Sequence, residues 1–352
     1  EKLIFSNRGI EINFAYRTFK WSNAAKAKAA VHCVIVGFSK NARRSQKYIF
    51  LPDGSHIDAN NINSYLVDAP SIVITRRTTP ISDVKPMLYG SMPIDDGALI
   101  LSEEDRKLLL DENPLNSELI RRYIGGNELL NNGKRWCIWL VGLSPKEFTH
   151  SKFIMTRVQR CKDFRLQSKR KQTLELANYP YLFGEIRQPN VKMLVLPKVS
   201  SENRDYLPIN FIDPEVIVNG SALIIPGGSI YHFGVLSSFV HASWLRAVGG
   251  RLEMRYQYSK DIVYNTFPWP NVTFEQKEII EKASKEILDA RSLYPKASLA
   301  DLYNNLTMPP ELRKAHIHND KAVWEAYGKP WPFDDEPACV AYLMELYQET
   351  LK

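Results

Sequence analysis

The chain is poor in cysteine and in long apolar runs, and each shortage closes off a class of protein. Its four cysteines (Cys33, Cys137, Cys161 and Cys339) lie far apart, with no CxxC pair and no paired histidines beside them. That spacing argues against a zinc ribbon and against a disulfide scaffold, and it fits a reducing cytosol. No apolar stretch approaches the roughly 18 residues needed to cross a bilayer; the best, around Val34–Phe38, is far shorter. No basic-then-apolar leader is present and the chain opens on Glu1, so a cut piece of a cytoplasmic protein is expected rather than a secreted one.

Complete catalytic machinery is also lacking. The glycine pairs at 125/126, 227/228 and 249/250 do not make a GxG turn between a strand and a helix, the turn that would hold S-adenosylmethionine. Asn178-Tyr179-Pro180-Tyr181 resembles the N-P-P-Y tetrapeptide that takes the amino protons of a flipped base, but Tyr replaces the first Pro. A helix-ending turn is the plainer reading. Pro52-Asp53 has no Glu-x-Lys partner downstream, so no metal-nuclease set is complete. His316 and His318 stand two apart and would diverge on a helix instead of sharing a metal. Ser237 and Ser238 lack a GxSxG context. No catalytic residue and no metal ligand is assigned.

What the chain does have is positive charge, unevenly placed. The net charge is +7; residues 1–270 carry 36 basic and 25 acidic groups, while residues 271–352 carry 10 and 14. The densest stretch, Ser151–Lys171, holds Lys152, Arg157, Arg160, Lys162, Arg165, Lys169, Arg170 and Lys171 against Asp163 alone. Like charges so crowded repel one another, and a polyanion relieves the repulsion by shedding its condensed counterions. A solvated helix face is the bland alternative. Arg157, Arg160, Lys162, Arg165, Lys169 and Arg170 are the expected contacts to a nucleic-acid backbone.

The pattern predicts an α+β chain. Ile10–Thr18 alternates, and Ala29–Phe38 reads as a strand buried on both faces. Ser102–Leu110 and Glu118–Tyr123 read as short helices, Arg135–Leu140 as a strand, and Pro145 to about Asn178 as one long basic helix. Val191–Pro197, Ala222–Pro226 and Ser229–Phe233 read as strands, followed by a helix over Gly234–Val248 that Gly249 and Gly250 stop. Beyond Pro268 and Pro270 the tail is all helical, opened by a capping box at Thr273 and Gln276, with Pro310 and Pro337 in the first turns of later helices.

Gly250–Ser259 (GRLEMRYQYS) carries the most chemistry. As one strand it turns Leu252, Met254, Tyr256 and Tyr258 to one side and Arg251, Glu253, Arg255, Gln257 and Ser259 to the other. Same-face neighbours would stand about 6.6 Å apart. The polar row holds the side chains that read base edges: Arg for guanine, Glu for the cytosine amino group, Gln for adenine. A solvent-exposed polar edge with internal Glu–Arg pairs is an equal alternative from the residues alone.

WSNAAKAKAAVHCVIVGF (21–38), YIGGNELL (123–130), LPKVSSENRDYLPINF (196–211), FGVLSSFVHASWLRAVGGRLEMRYQYSKDIVYNTFPWP (233–270) and SLADLYNNLTMPPELRKAHIHNDKAVWEAYG (298–328) resemble the C-terminal portion of MmeI-like enzymes. These are bacterial single-chain restriction–modification proteins that join a nuclease, an adenine-N6 DNA methyltransferase and one target-recognition domain. The resemblance implies that residues 1–70 are the last strands of the methyltransferase domain, 71–268 the target-recognition domain and 269–352 a supporting helical domain. It implies double-stranded DNA and the upstream methyltransferase domain as partners, and no membrane. The cofactor loop and the N-P-P-Y motif of such enzymes lie upstream, so no cofactor is expected in this chain. S-adenosylmethionine is expected for the intact enzyme, with Mg2+ if it also cuts DNA. Phe19 and Trp21 fall where such enzymes place an aromatic near the flipped adenine. Glu253 and Arg255 fall at a pair of specificity positions where other members carry Lys and Asp. Gln257, with Ser221 or Ala222, would read a neighbouring base pair. The expected function is therefore a duplex-DNA sequence reader. A methyltransferase working through NYPY, and a basic protein-interaction scaffold, are the alternatives.

Overall fold

A computed structural model describes residues 10–21, 31–40, 46–51, 53–332 and 335–352. Strands and helices are mixed throughout the body and the tail is all helical, as the pattern predicts.

The first sheet has the order 31–40, 10–21, 47–50, 56–59; its central pair, Ile10–Trp21 and Lys47–Phe50, is parallel and the two outer pairs are antiparallel. One face buries Ile12, Ala15, Ile49 and Ala59 over Ile62. The other carries a run of rings in which Tyr16 stacks on Phe50 at 4.3 Å. Among the described residues the apolar strand Val31–Lys40 is paired on one side only, and it is not buried on both faces, with Phe38 61% exposed. Apolar content marks a surface that can be covered, and among the described residues that strand is an edge.

The middle of the chain forms two four-stranded sheets, ordered 210–212, 193–197, 222–226, 88–89 and 217–218, 120–124, 136–138, 100–101. Every residue of Met193–Pro197 is buried, as the near-continuous apolar run requires. Three expected elements come out differently. Glu118–Tyr123 is not a helix: a 3-10 turn at Pro114–Leu119 leads into the strand Ile120–Ile124. There Arg122 pairs with Trp136 across the sheet and lies 5.2 Å over its ring. The long basic helix is broken into a 3-10 turn at Pro145–Glu147, a helix over Lys152–Leu166 and a short one over Lys171–Glu175. Ser151 starts the main piece by accepting the Ile154 N–H at 3.1 Å. Ser229–Phe233 is likewise helix, not strand: Ser229 caps Ile230–Leu236, and Ser238 caps a second helix, Phe239–Val248. Ser238 thus divides Gly234–Val248, which reads as one helix, because a hydroxyl that caps a new helix competes with continuing the old one.

The tail starts where its capping box places it, with helix Phe274–Ser292 beginning after Thr273. Pro310 and Pro337 sit in the first turns of Pro310–Ala326 and Glu336–Thr350. One apolar core runs from Val67 through the middle sheet and the 230–248 helices to Tyr347. Gly234 shows how closely the parts approach: a Cβ there would lie 2.0 Å from the Ser284 hydroxyl oxygen. Among the described residues no helix is long and apolar enough to cross a membrane.

Candidate nucleic-acid interface

Gly250–Ser259 is a hairpin. Gly250–Leu252 pairs antiparallel with Arg255–Gln257, setting Arg251 opposite Tyr256 and Leu252 opposite Arg255. The chain reverses at Glu253 and Met254, with Glu253 in the left-handed region at φ +57°. The extended row of polar side chains therefore does not exist. Alternation over ten residues fits one long strand or two short ones equally well, and the turn carries none of the Gly, Asn or Pro residues that usually announce it.

The reversal puts the two specificity candidates at the tip. Arg255 Nη2 donates to Glu253 Oε2 at 2.8 Å, and the two side chains remain 47% and 76% exposed. An ion pair so open to water is worth at most about 1 kcal/mol, so either group can change partner cheaply. Arg251 lies 4.0 Å over the Tyr256 ring and donates to the Met254 carbonyl at 3.2 Å, which braces the turn. Leu252 is exposed. Gln257 is half-buried at the root of the hairpin, paired with Gly250 and Val199.

The root is rigid where the tip is open. Tyr258 is buried; its N–H donates to the Lys198 carbonyl at 2.8 Å and its hydroxyl meets His241 Nε2 at 2.8 Å. Burial pushes the His241 imidazole down to about 3, so that pairing is between neutral groups. Lys198 also donates its N–H to the Ser221 carbonyl at 3.1 Å, bringing the 221 corner beside the hairpin. Ser221 is exposed, with its hydroxyl donating to Asn219 Oδ1 at 2.6 Å and accepting the Gly126 N–H at 3.0 Å. Ala222 is corrected: it opens the buried strand Ala222–Pro226 at 0% exposure, so its methyl group cannot meet a base edge.

The basic helix is more corrected than kept. Arg165 is wholly buried, and its guanidinium donates to five carbonyls, those of Pro93, Ile94, Leu176, Tyr179 and Leu182, at 2.8–3.0 Å. All five of its N–H groups are used, so it cannot hold a phosphate. Arg157 points inward to the carbonyls of Ala98 and Ile100 at 3.1 Å and to the Asp105 carboxylate. Burial works to raise the Asp105 pKa, but the Ser102 N–H and Arg157 outweigh it and hold the carboxyl below its ordinary value. Arg160 is exposed and donates to the Asp96 carbonyl at 2.9 Å. Lys162, Lys169 and Arg170 are exposed and form no salt bridge among the described residues. No described hydrogen bond or ion pair joins this helix to the hairpin.

NYPY is the turn that ends the basic segment: Asn178 closes a 3-10 turn, the Tyr179 carbonyl accepts from Arg165, and the Tyr181 ring packs on Phe148 at 5.4 Å. His316 is buried against Tyr206 and bonded to the Tyr303 hydroxyl, whereas His318 faces Glu286 at 2.9 Å. Phe19 is half-buried in the first sheet opposite Cys33, and the Trp21 side chain and Pro52 lie outside the described residues.

One cluster escaped the charge pattern. The Lys198 and Lys260 ammonium groups lie 5.4 and 5.8 Å from the centre of the Tyr89 ring, beside the root of the hairpin. Lys260 pairs with Asp261 at 2.7 Å, and Arg76 reaches the same carboxylate at 2.8 Å. These residues are far apart in the chain, so no local density of charge betrays them.

The family model for the MmeI target recognition domain matches residues 68–271. The chain belongs to the MmeI family. The models for the MmeI C-terminal domain and the MmeI DNA-methyltransferase domain match residues 272–352 and 2–51. "DNA methyltransferase A" of Bacillus subtilis (strain 168) is 37% identical over 341 residues, covering 97% of this chain and 38% of that protein. The solved structure of the type IIL restriction-modification enzyme MmeI in complex with DNA is 43% identical with a TM-score of 0.90, covering 97% of this chain and 46% of that one. The chain thus spans less than half the length of either MmeI-family relative.

Proposed function

We propose that this chain is the sequence-reading part of a site-specific adenine-N6 DNA methyltransferase, and that the tip of the 250–257 hairpin enters the major groove of duplex DNA. The observation that carries the reading is the exposed Glu253–Arg255 pair on a buried root, in a chain whose solved relative was captured with DNA. Arg255 has the donors to bind guanine O6 and N7 together, and Glu253 the acceptors for the N4 amino group of the paired cytosine. The pair as it stands would read a C·G base pair, trading its internal ion pair for base contacts. Exposed Lys162, Lys169, Arg170 and Arg160 supply sequence-independent attraction to the phosphates.

S-adenosylmethionine is proposed for the intact protein, on the strength of the methyltransferase-domain match over residues 2–51. The described residues do not fit it. Gly125–Gly126 opens a helix of only six residues, and a Cβ on Gly125 would lie 2.3 Å from the Ser221 hydroxyl, so that turn is filled from within. No step of methyl transfer is assigned to this chain. Partnership with the methyltransferase domain of the same polypeptide is proposed on the support of the same match.

The test is to exchange Glu253→Lys and Arg255→Asp together in the intact protein and to sequence its methylated sites. One position of the recognised sequence should change, each lost contact discriminating by about 1–3 kcal/mol. An unchanged site, or a loss equal at every position, would make the pair a structural ion pair only.

A further inference from the structure

We propose that a cleft of about 320 Å3, where the first sheet, the hairpin and the last helix meet, is a binding site for one backbone phosphodiester of the duplex. Arg17 from the first sheet, Arg246 and Arg251 from either side of the Gly-Gly pair, and Glu336 from the last helix line it, with Leu66 and Val340 among its apolar walls. The inference rests on the duplex-reading function proposed above and adds to it an anion site that is neither the hairpin tip nor the basic helix.

The charges do not close on themselves. Arg246 is spent: its Nε donates to Glu336 Oε1 at 2.6 Å, and its other nitrogens to the Asp205 carbonyl and the Ser243 hydroxyl. Glu336 thus gives one oxygen to Arg246, and with Asp335 it also attracts Arg17 across the cleft. Asp335, its neighbour, uses one oxygen to accept the Ala338 N–H at 2.7 Å, so the helix terminus is capped from within. Among the described residues Arg17 makes a single long bond, Nε to the Leu66 carbonyl at 3.4 Å, and its Nη2 is buried with no acceptor. Arg251 spends one nitrogen on the Met254 carbonyl and keeps the rest of its fork open. Three guanidiniums thus face two carboxylates, and the two with unused donors are the ones farthest along in sequence from each other.

A buried N–H without an acceptor is costly, and a guanidinium cannot shed its charge to escape the cost. An anionic oxygen between Arg17 and Arg251 would satisfy both. Planar forks match a tetrahedral phosphate well. The cleft adjoins the hairpin on one side, while Arg17 precedes Phe19 by two residues on the other. A phosphodiester held here would tie the strand being read to the sheet that continues into the methyltransferase domain, fixing register without reading sequence.

The test measures binding of this chain to a fluorescein-labelled 30-base-pair duplex of mixed sequence, by anisotropy, between 50 and 300 mM NaCl. Arg17→Gln should weaken binding to all sequences alike and reduce the slope of log K against log salt by about 0.9, the value for one phosphate. Arg17→Lys should keep the wild-type slope. If Arg17→Gln does not fold, the exposed Arg251→Gln carries the test with the same expected change. A wild-type slope in the Gln variants overturns the phosphate site and leaves the hairpin reading standing. No duplex binding by the unmutated chain overturns both. A thermal-shift arm with 10 mM inorganic phosphate separates the sources: stabilisation by the free anion, with no change of duplex slope on mutation, would make this a small-anion site and also overturn the proposal.

Discussion

The basic helix and the hairpin both advertise charge, and they use it in opposite ways. In Lys152–Leu166 two arginines are construction: Arg165 gathers five carbonyls from residues 93–94 and 176–182, and Arg157 pins the helix to Ala98, Ile100 and Asp105. In the hairpin the charge stands out on a neutral, buried support made by Tyr258 and His241. Density of like charge along a chain is therefore a poor guide to charge available to a partner. What decides is whether carbonyls are left over nearby for the guanidinium to satisfy.

The sharpest way to break this contrast is Arg165→Ala. Five carbonyls around a wholly buried side chain would lose a donor, and the loss should exceed about 3 kcal/mol, read from urea unfolding at constant m-value. A cost under 1 kcal/mol would mean that the guanidinium is not holding those turns. Next comes Asp320, which accepts the Phe239 N–H at 2.7 Å and so caps the helix that carries the hairpin. Burial raises its carboxyl from 3.8 to about 7. The folded state then keeps a proton that the unfolded chain releases, so this group's contribution to stability falls as pH rises from about 4 to about 7 and is level above that. Asp320→Asn should remove that slope, gaining on the wild type as pH climbs; parallel stability curves for the two proteins would refute it.

Smaller effects test what remains free on each region. Lys169→Ala with Arg170→Ala should flatten the salt dependence of duplex binding by about two units while leaving sequence preference alone. An unchanged slope would remove the basic segment from the interface altogether. The smallest expected change is Glu253→Gly. It relieves a left-handed residue at φ +57° and removes an exposed ion pair, so stability should move by no more than about 1 kcal/mol either way. A larger loss would mean that the tip supports the fold and is not free to read.

The pattern of residues located the elements that bury a full face and misjudged those decided by distant partners. Met193–Pro197 and the capped helix after Thr273 follow from their own apolar period and caps. Glu118–Tyr123 looked helical because the sheet partner that makes it a strand, Trp136–Ile138, is supplied from elsewhere in the chain. At the interface, Glu253 and Arg255 were legible as chemistry, but their geometry was not, because the hairpin turn lacks the usual turn residues. Ala222 and Arg165 read as interface residues in the sequence but lie in the core, since neither burial nor five converging carbonyls can be read from neighbours along the chain. Lys198 is not legible in the sequence for the converse reason: its value lies in a backbone link to Tyr258 sixty residues away.

The cap that Asp320 places on the Phe239–Val248 helix has a consequence for how such proteins can be remade by recombination. The change of sequence character at Pro268–Pro270 invites a crossover there, yet the helix beneath the hairpin proposed to read sequence receives its N-terminal acceptor from beyond that point, and Asn319 holds the Gly234 carbonyl at 2.8 Å from the same side. A chimaera joined at the prolines would inherit the alphabet of one parent and the foundation of another. Viable exchanges of specificity should therefore be found either as short swaps confined to the hairpin or as transfers of the whole stretch to the end of the last helix, with crossovers between those limits purged.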